Sequence, residues 1–103
     1  MRVGIAQVGL ATPLGLGREA TLAGWRAGRS GLSDNDRWPT DWFLRGDAGQ
    51  VPGFEPRKQL PDRKAVKLMS REAQLGVYAS VEAAAGLALD PLRSGGFAAA
   101  GYE

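Results

Sequence analysis

None of this chain's 103 residues is cysteine or histidine, the two side chains that most often serve as nucleophile and base near neutral pH. That absence removes thiolate nucleophiles, disulfides, thiolate zinc ligation and imidazole bases at once, so the chain by itself is not a nucleophile-and-base enzyme. The residues that remain with a regular spacing are basic. Lys64, Lys67 and Arg71 recur three and four positions apart, which places them on one face of a helix, and Arg63 stands beside them at its start. Such a row either draws an acidic partner by long-range attraction or is simply a solvated face, and the spacing alone leaves both readings open. Among the carboxylates, Asp34, Asp36 and Asp41 with Asn35 suggest a cation loop, but they lack the glycine and terminal glutamate of an EF-hand and read as solvated loop charge. No pair of carboxylates is placed for acid and base work.

One glycine pattern also bears on chemistry. Gly15-Leu16-Gly17-Arg18-Glu19-Ala20 fits G-x-G-x-x-A ahead of a helix. In a dinucleotide site the first glycine follows the strand tightly, whereas here Ala11-Thr12-Pro13-Leu14 intervenes. Asp34 and Asp36 lie near the distance for a ribose-binding acid, yet no β-run precedes them. The glycines are read as a turn, and no cofactor is expected.

The elements that must position these residues alternate strand and helix. Val3, Ile5 and Val8, with small residues between them, predict a short strand over residues 3–8, buried on both faces. Pro13 and the glycines after it break that run. A helix is expected over residues 18–27, with Leu22 and Trp25 on its inner face, Glu19 in its first turn and Gly28 as a left-handed C-cap. Residues 29–61 carry Pro39, Pro52, Pro56 and Pro61 together with Trp38, Trp42, Phe43 and Phe54, and read as irregular chain with local packing and a short strand near residues 48–51.

Asp62 is placed to cap a long helix running to about Leu89, wet in its charged first half and buried behind. Met69, Ala73, Gly76, Val77, Ser80, Ala84 and Leu87 form its small-residue stripe. Asp90-Pro91 is expected to stop it, Gly95-Gly96 to turn the chain, and residues 97–101 to form a second interior strand. A parallel β-α-β crossover would set that strand beside the first and leave sheet edges unpaired, so the chain is expected to be the opening part of a larger α/β protein.

Composition bounds the rest. A hydrophobic fraction of 44% with 23% charged residues belongs to a chain that packs a core. A complete domain of this size buries only about two-thirds of its unfolded surface, so independent stability is expected to be marginal. Thirteen Lys and Arg against 11 Asp and Glu give a net charge of +2, too small an excess to indicate nucleic acid or a membrane surface. There is no signal-peptide pattern, and the longest apolar run, residues 83–89, is far below the roughly 20 residues of a membrane span. A cytoplasmic setting is expected.

Several blocks, taken in order, carry a resemblance. Val8-Gly9-Leu10-Ala11-Thr12-Pro13-Leu14-Gly15, a helix bearing Trp25, and Ala27-Gly28-Arg29-Ser30-Gly31-Leu32 resemble the N-terminus of β-ketoacyl-acyl carrier protein synthases. Gly49-Gln50-Val51-Pro52-Gly53-Phe54-Glu55-Pro56 looks like their short strand and turn. Asp62-Arg63-Lys64-Ala65-Val66-Lys67-Leu68-Met69, followed by Gln74, looks like the start of their long helix, and Ala83-Ala84-Ala85-Gly86-Leu87 like its end. The resemblance spans nearly the whole chain.

It implies an α/β architecture, a partial thiolase-like fold (β-α-loop-α-β) in which residues 1–103 form the N-terminal part of a synthase domain. The full enzymes are homodimers that transfer an acyl group onto a cysteine and condense it with malonyl held on acyl carrier protein, in fatty acid or polyketide assembly. That cysteine and its histidine partners match no position here, so no catalytic residue is carried over. What does carry over is the basic start of the long helix, which in the family helps dock the acidic carrier protein. Lys64 and Lys67 match that patch, Leu68 stands where a further basic residue is common, and Arg63 and Arg71 extend it. The alternative is a short non-catalytic partner that completes a split synthase or binds acyl carrier protein.

Overall fold

The computed structural model describes residues 2–34 and 47–96. They form four helices and two small antiparallel sheets, a mixed α/β arrangement, and the chain divides into two compact units: Leu10–Phe54, and Met1–Gly9 with Glu55–Glu103. The expected strand at residues 97–101, Asp36, Asp41 and the aromatics Trp38, Trp42 and Phe43 lie outside the described residues.

The Leu10–Phe54 unit begins with a tight hairpin. Strand β1 (Ala11–Thr12) pairs with β2 (Gly15–Leu16) across Pro13-Leu14, in the register Ala11 to Leu16 and Thr12 to Gly15. Helix α1 (Arg18–Arg26) follows and lies against this hairpin. The buried Thr21 hydroxyl holds the two together. It donates to the Gly17 carbonyl at 2.8 Å, lies 3.2 Å from the Gly15 carbonyl, and stands 2.9 Å from the Thr12 hydroxyl. Gly28 takes φ +69°, the expected left-handed end.

The inner face of α1 is not the apolar one. Thr21 and Gly24 are buried, while Leu22 is 38% and Trp25 72% exposed. A Cβ on Gly24 would lie 3.2 Å from the Leu14 Cβ and carbonyl oxygen, so the helix approaches the hairpin too closely for a large residue, and the bulky pair is turned outward. Strand β3 (Leu32–Asp34) pairs antiparallel with β4 (Asp47–Gly49), close to the strand expected at residues 48–51. Phe54 is buried at the end of this unit.

In the other unit, residues 3–8 form no ladder among the described residues, and Val3 and Ile5 are 88% and 86% exposed. The expected interior strand is therefore an irregular segment held against a helix, α4 (Arg71–Ala84). Gln7 explains why. Its Nε2 donates to the carbonyls of Glu82 (2.8 Å), Ala83 (3.0 Å) and Ala85 (2.8 Å) at the C-terminal end of α4. Gly9 permits the approach, since any Cβ there would collide with the carbonyl of Ala79.

The long helix expected from Asp62 to Leu89 is three pieces of chain instead. Asp62 does cap, its Oδ1 accepting from the Lys64 and Ala65 N–H groups at 3.0 and 3.2 Å, but α3 (Arg63–Val66) lasts one turn. The Ser70 hydroxyl then accepts from the Ala73 N–H at 3.2 Å and starts α4 afresh. Gln74 Nε2 lies 3.3 Å and 3.5 Å from the carbonyls of Val66 and Met69, so it serves the groups that the break exposes. Gly86, at φ +78°, ends α4 before Asp90-Pro91 is reached.

Nor is the rear of α4 a buried core. Its inner residues, among them Gln74, Leu75, Tyr78, Ala79 and Ala83, are half-buried, and Ala73, Gly76 and Ser80 of the expected packing stripe are exposed. A short helix not expected from the sequence, α2 (Pro56–Gln59), precedes α3, with proline at its first position and the Glu55 N–H donating to Gln59 Oε1 at 2.8 Å. Leu60 and Val66 are the buried hydrophobic side chains among the described residues of this unit.

Candidate basic site on helices two and three

The basic residues gain their placement from two caps and two buried side chains. Asp62 fixes the start of α3, Pro56 fixes the start of α2, and Leu60 and Val66 are buried at 5% and 6% exposure where the two short helices pack together. With Val66 turned inward, Arg63, Lys64 and Lys67 remain exposed around it.

They do not stand alone. Arg57 reaches the same place from α2, and Arg57, Arg63, Lys64 and Lys67 line one cleft of about 400 Å³. Four formal positive charges thus line this space, and among the described residues its lining includes no carboxylate. The nearby Asp62 accepts from two backbone N–H groups through its Oδ1, and Glu55 pairs with Lys58 at 3.0 Å. A site of this kind attracts anions at a distance, and salt weakens that attraction.

Of the four residues named from the sequence, the structure brings together Arg63, Lys64 and Lys67. Arg71 is separated from them by the break at Ser70. It opens α4, half-buried, with interactions of its own. The helical row of Lys64, Lys67 and Arg71 is therefore corrected, because the single helix that would align them does not exist. Leu68, between Lys67 and Arg71 in sequence and apolar, is 91% exposed. Arg57 went unrecognised because its neighbourhood read as irregular chain. Glu55-Pro56 ahead of Arg57-Lys58-Gln59 was the available signal, a proline at the first position of a helix with good helix formers after it.

A second cleft adjoins the first, of about 540 Å³. Its lining shares Arg57 and Lys67 with the first and adds Pro56, Val66, Met69 and Gln74, with Glu55 and Lys58. Among the described residues no group of three acidic residues is arranged to hold a metal ion. No described helix is long and apolar enough to cross a membrane. Gly15 and Gly17, read from the sequence as a turn, are buried beside Thr21, and their carbonyls face its hydroxyl.

Comparison with known protein families returns no match, and comparison with curated proteins returns none.

Proposed function

We propose that this chain is the N-terminal part of a β-ketoacyl-acyl carrier protein synthase domain, of partial thiolase-like fold, and that its own contribution is to dock the acidic carrier protein and not to catalyse. The ordered sequence blocks from Val8 to Leu87 support the family. The observation that carries the docking role is the convergence of Arg63, Lys64 and Lys67 with Arg57 on one cleft. The family's chemistry needs a cysteine and histidines that this chain does not contain, so acyl transfer and condensation belong to residues elsewhere in a working enzyme, which in the family is a homodimer in the cytoplasm.

Calorimetric titration with an acidic acyl carrier protein at low salt tests the role. Binding is expected for the wild type and loss of about tenfold or more for Lys64→Glu with Lys67→Glu, since reversal turns attraction into repulsion at two adjacent positions. Equal affinity of both proteins at low salt removes the docking role.

A second reading is supported by Val3 and Ile5, which are apolar and almost fully exposed outside any helix or strand. In it the chain is a short non-catalytic partner that completes a split synthase by offering this segment as a strand. Co-purification with a synthase remainder, lost on Ile5→Asp, supports that version; retention of the complex by Ile5→Asp counts against it.

A further inference from the structure

We propose that the two adjoining clefts on α2 and α3 form one site for a small organic phosphate, with the phosphate among Arg57, Arg63, Lys64 and Lys67 and a compact apolar body against Pro56, Val66 and Met69. Two observations carry this. The first is the charge density of the basic cleft: two guanidinium and two ammonium groups line about 400 Å³. A phosphate monoester suits that lining better than a carboxylate does. It brings up to two negative charges and three terminal oxygens, which accept from a planar guanidinium in pairs and from ammonium groups singly.

The second observation is the chemical change across a shared wall. Arg57 and Lys67 line both clefts, and beyond them the lining turns to Pro56, Val66 and Met69. Both volumes lie in the range of roughly 300–1,000 Å³ typical of small-molecule sites. Lys67 suits the junction because its methylene stem is apolar and its head is charged, so one residue serves both halves. Gln74 fixes the far wall, its Nε2 lying 3.3 Å from the Val66 carbonyl and 3.5 Å from that of Met69. The Glu55 carboxylate, paired with Lys58 in the same lining, disfavours a second anionic group on the body. The site therefore takes a ligand charged at one end.

This site overlaps the docking surface, so an organic phosphate competes with the carrier protein. That competition rests on the docking reading, whereas binding of the phosphate does not. Phenyl phosphate is the probe, titrated into the full chain at fixed ionic strength and followed by amide NMR, with inorganic phosphate and benzoate as comparisons. Phenyl phosphate is expected to bind about tenfold more tightly than inorganic phosphate, because its ring leaves water. Benzoate is expected to be weaker than phenyl phosphate. Amide shifts are expected at Arg57, Val66, Lys67 and Met69, and Arg57→Gln, at an exposed position, should weaken phenyl phosphate severalfold while leaving the spectrum otherwise folded.

Equal affinity for phenyl phosphate and inorganic phosphate, or full affinity in Arg57→Gln, overturns the inference. Carrier protein binding without phenyl phosphate binding overturns it too and leaves docking standing. Phenyl phosphate binding without carrier protein binding sustains it and removes docking.

Discussion

At the scale of single residues, Gln7 joins two parts of the chain that are 75 or more positions apart. Its amide has two N–H groups for three carbonyls, so one hydrogen is shared, and the end of α4 is closed by a side chain from the N-terminal segment. Gln7→Ala removes all three contacts and is expected to cost about 1–2 kcal/mol, read as a lower urea midpoint with faster amide exchange at the C-terminal turn of α4. Gln7→Glu should cost more, because a carboxylate cannot donate and would face carbonyl oxygens. An unchanged midpoint for both variants would show that the segment is held by something else. Gly9→Ala makes a separate case. Its methyl group has no room beside the Ala79 carbonyl, so segment and helix must part, and amide exchange along residues 79–83 should accelerate.

At the scale of elements, the caps decide where helices begin, and that is the part of the fold most legible from the residues. The cap at Asp62, the extent of α1 and the left-handed turn at Gly28 are set by neighbours within a few positions, and all three were readable. The break between α3 and α4 was not, because helix propensity runs unbroken through Lys67-Leu68-Met69, while a competing set of side-chain bonds from Ser70 and Gln74 supports the interruption. The orientation of α1 escaped for another reason. Periodicity points to Leu22 and Trp25 as the inner face, but close helix-to-hairpin approach selects Thr21 and Gly24. Arg57 escaped because a cluster gathered from two helices has no signature in linear spacing. Ser70→Ala is expected to cost about 1 kcal/mol and to fray the first turn of α4, measured by circular dichroism through thermal unfolding. An unaltered melting curve would show that Gln74 alone maintains the break.

At the scale of the whole molecule, burial is thin for a chain of this composition. Phe54, Leu60 and Val66 are the buried hydrophobic side chains among the described residues, while Val3, Ile5, Trp25, Leu68 and Leu92 are largely exposed. A chain that leaves so much apolar surface in water has little stability in reserve, so a broad, low-temperature unfolding transition is expected, sharpened and raised by a partner that binds the folded state. Charge at this scale is uneven: a small net charge of +2 conceals a local cluster of four cations. Docking through that cluster should weaken by about tenfold between 0.05 and 0.2 M salt, as attraction between exposed charges is screened.

The most direct measurement is amide NMR of the full chain as an acidic acyl carrier protein is added at low salt. The docking account expects shifts concentrated at Arg57, Arg63, Lys64 and Lys67 that fade as salt is raised. Shifts centred on Leu22 and Trp25, or no shifts at low salt, would contradict it.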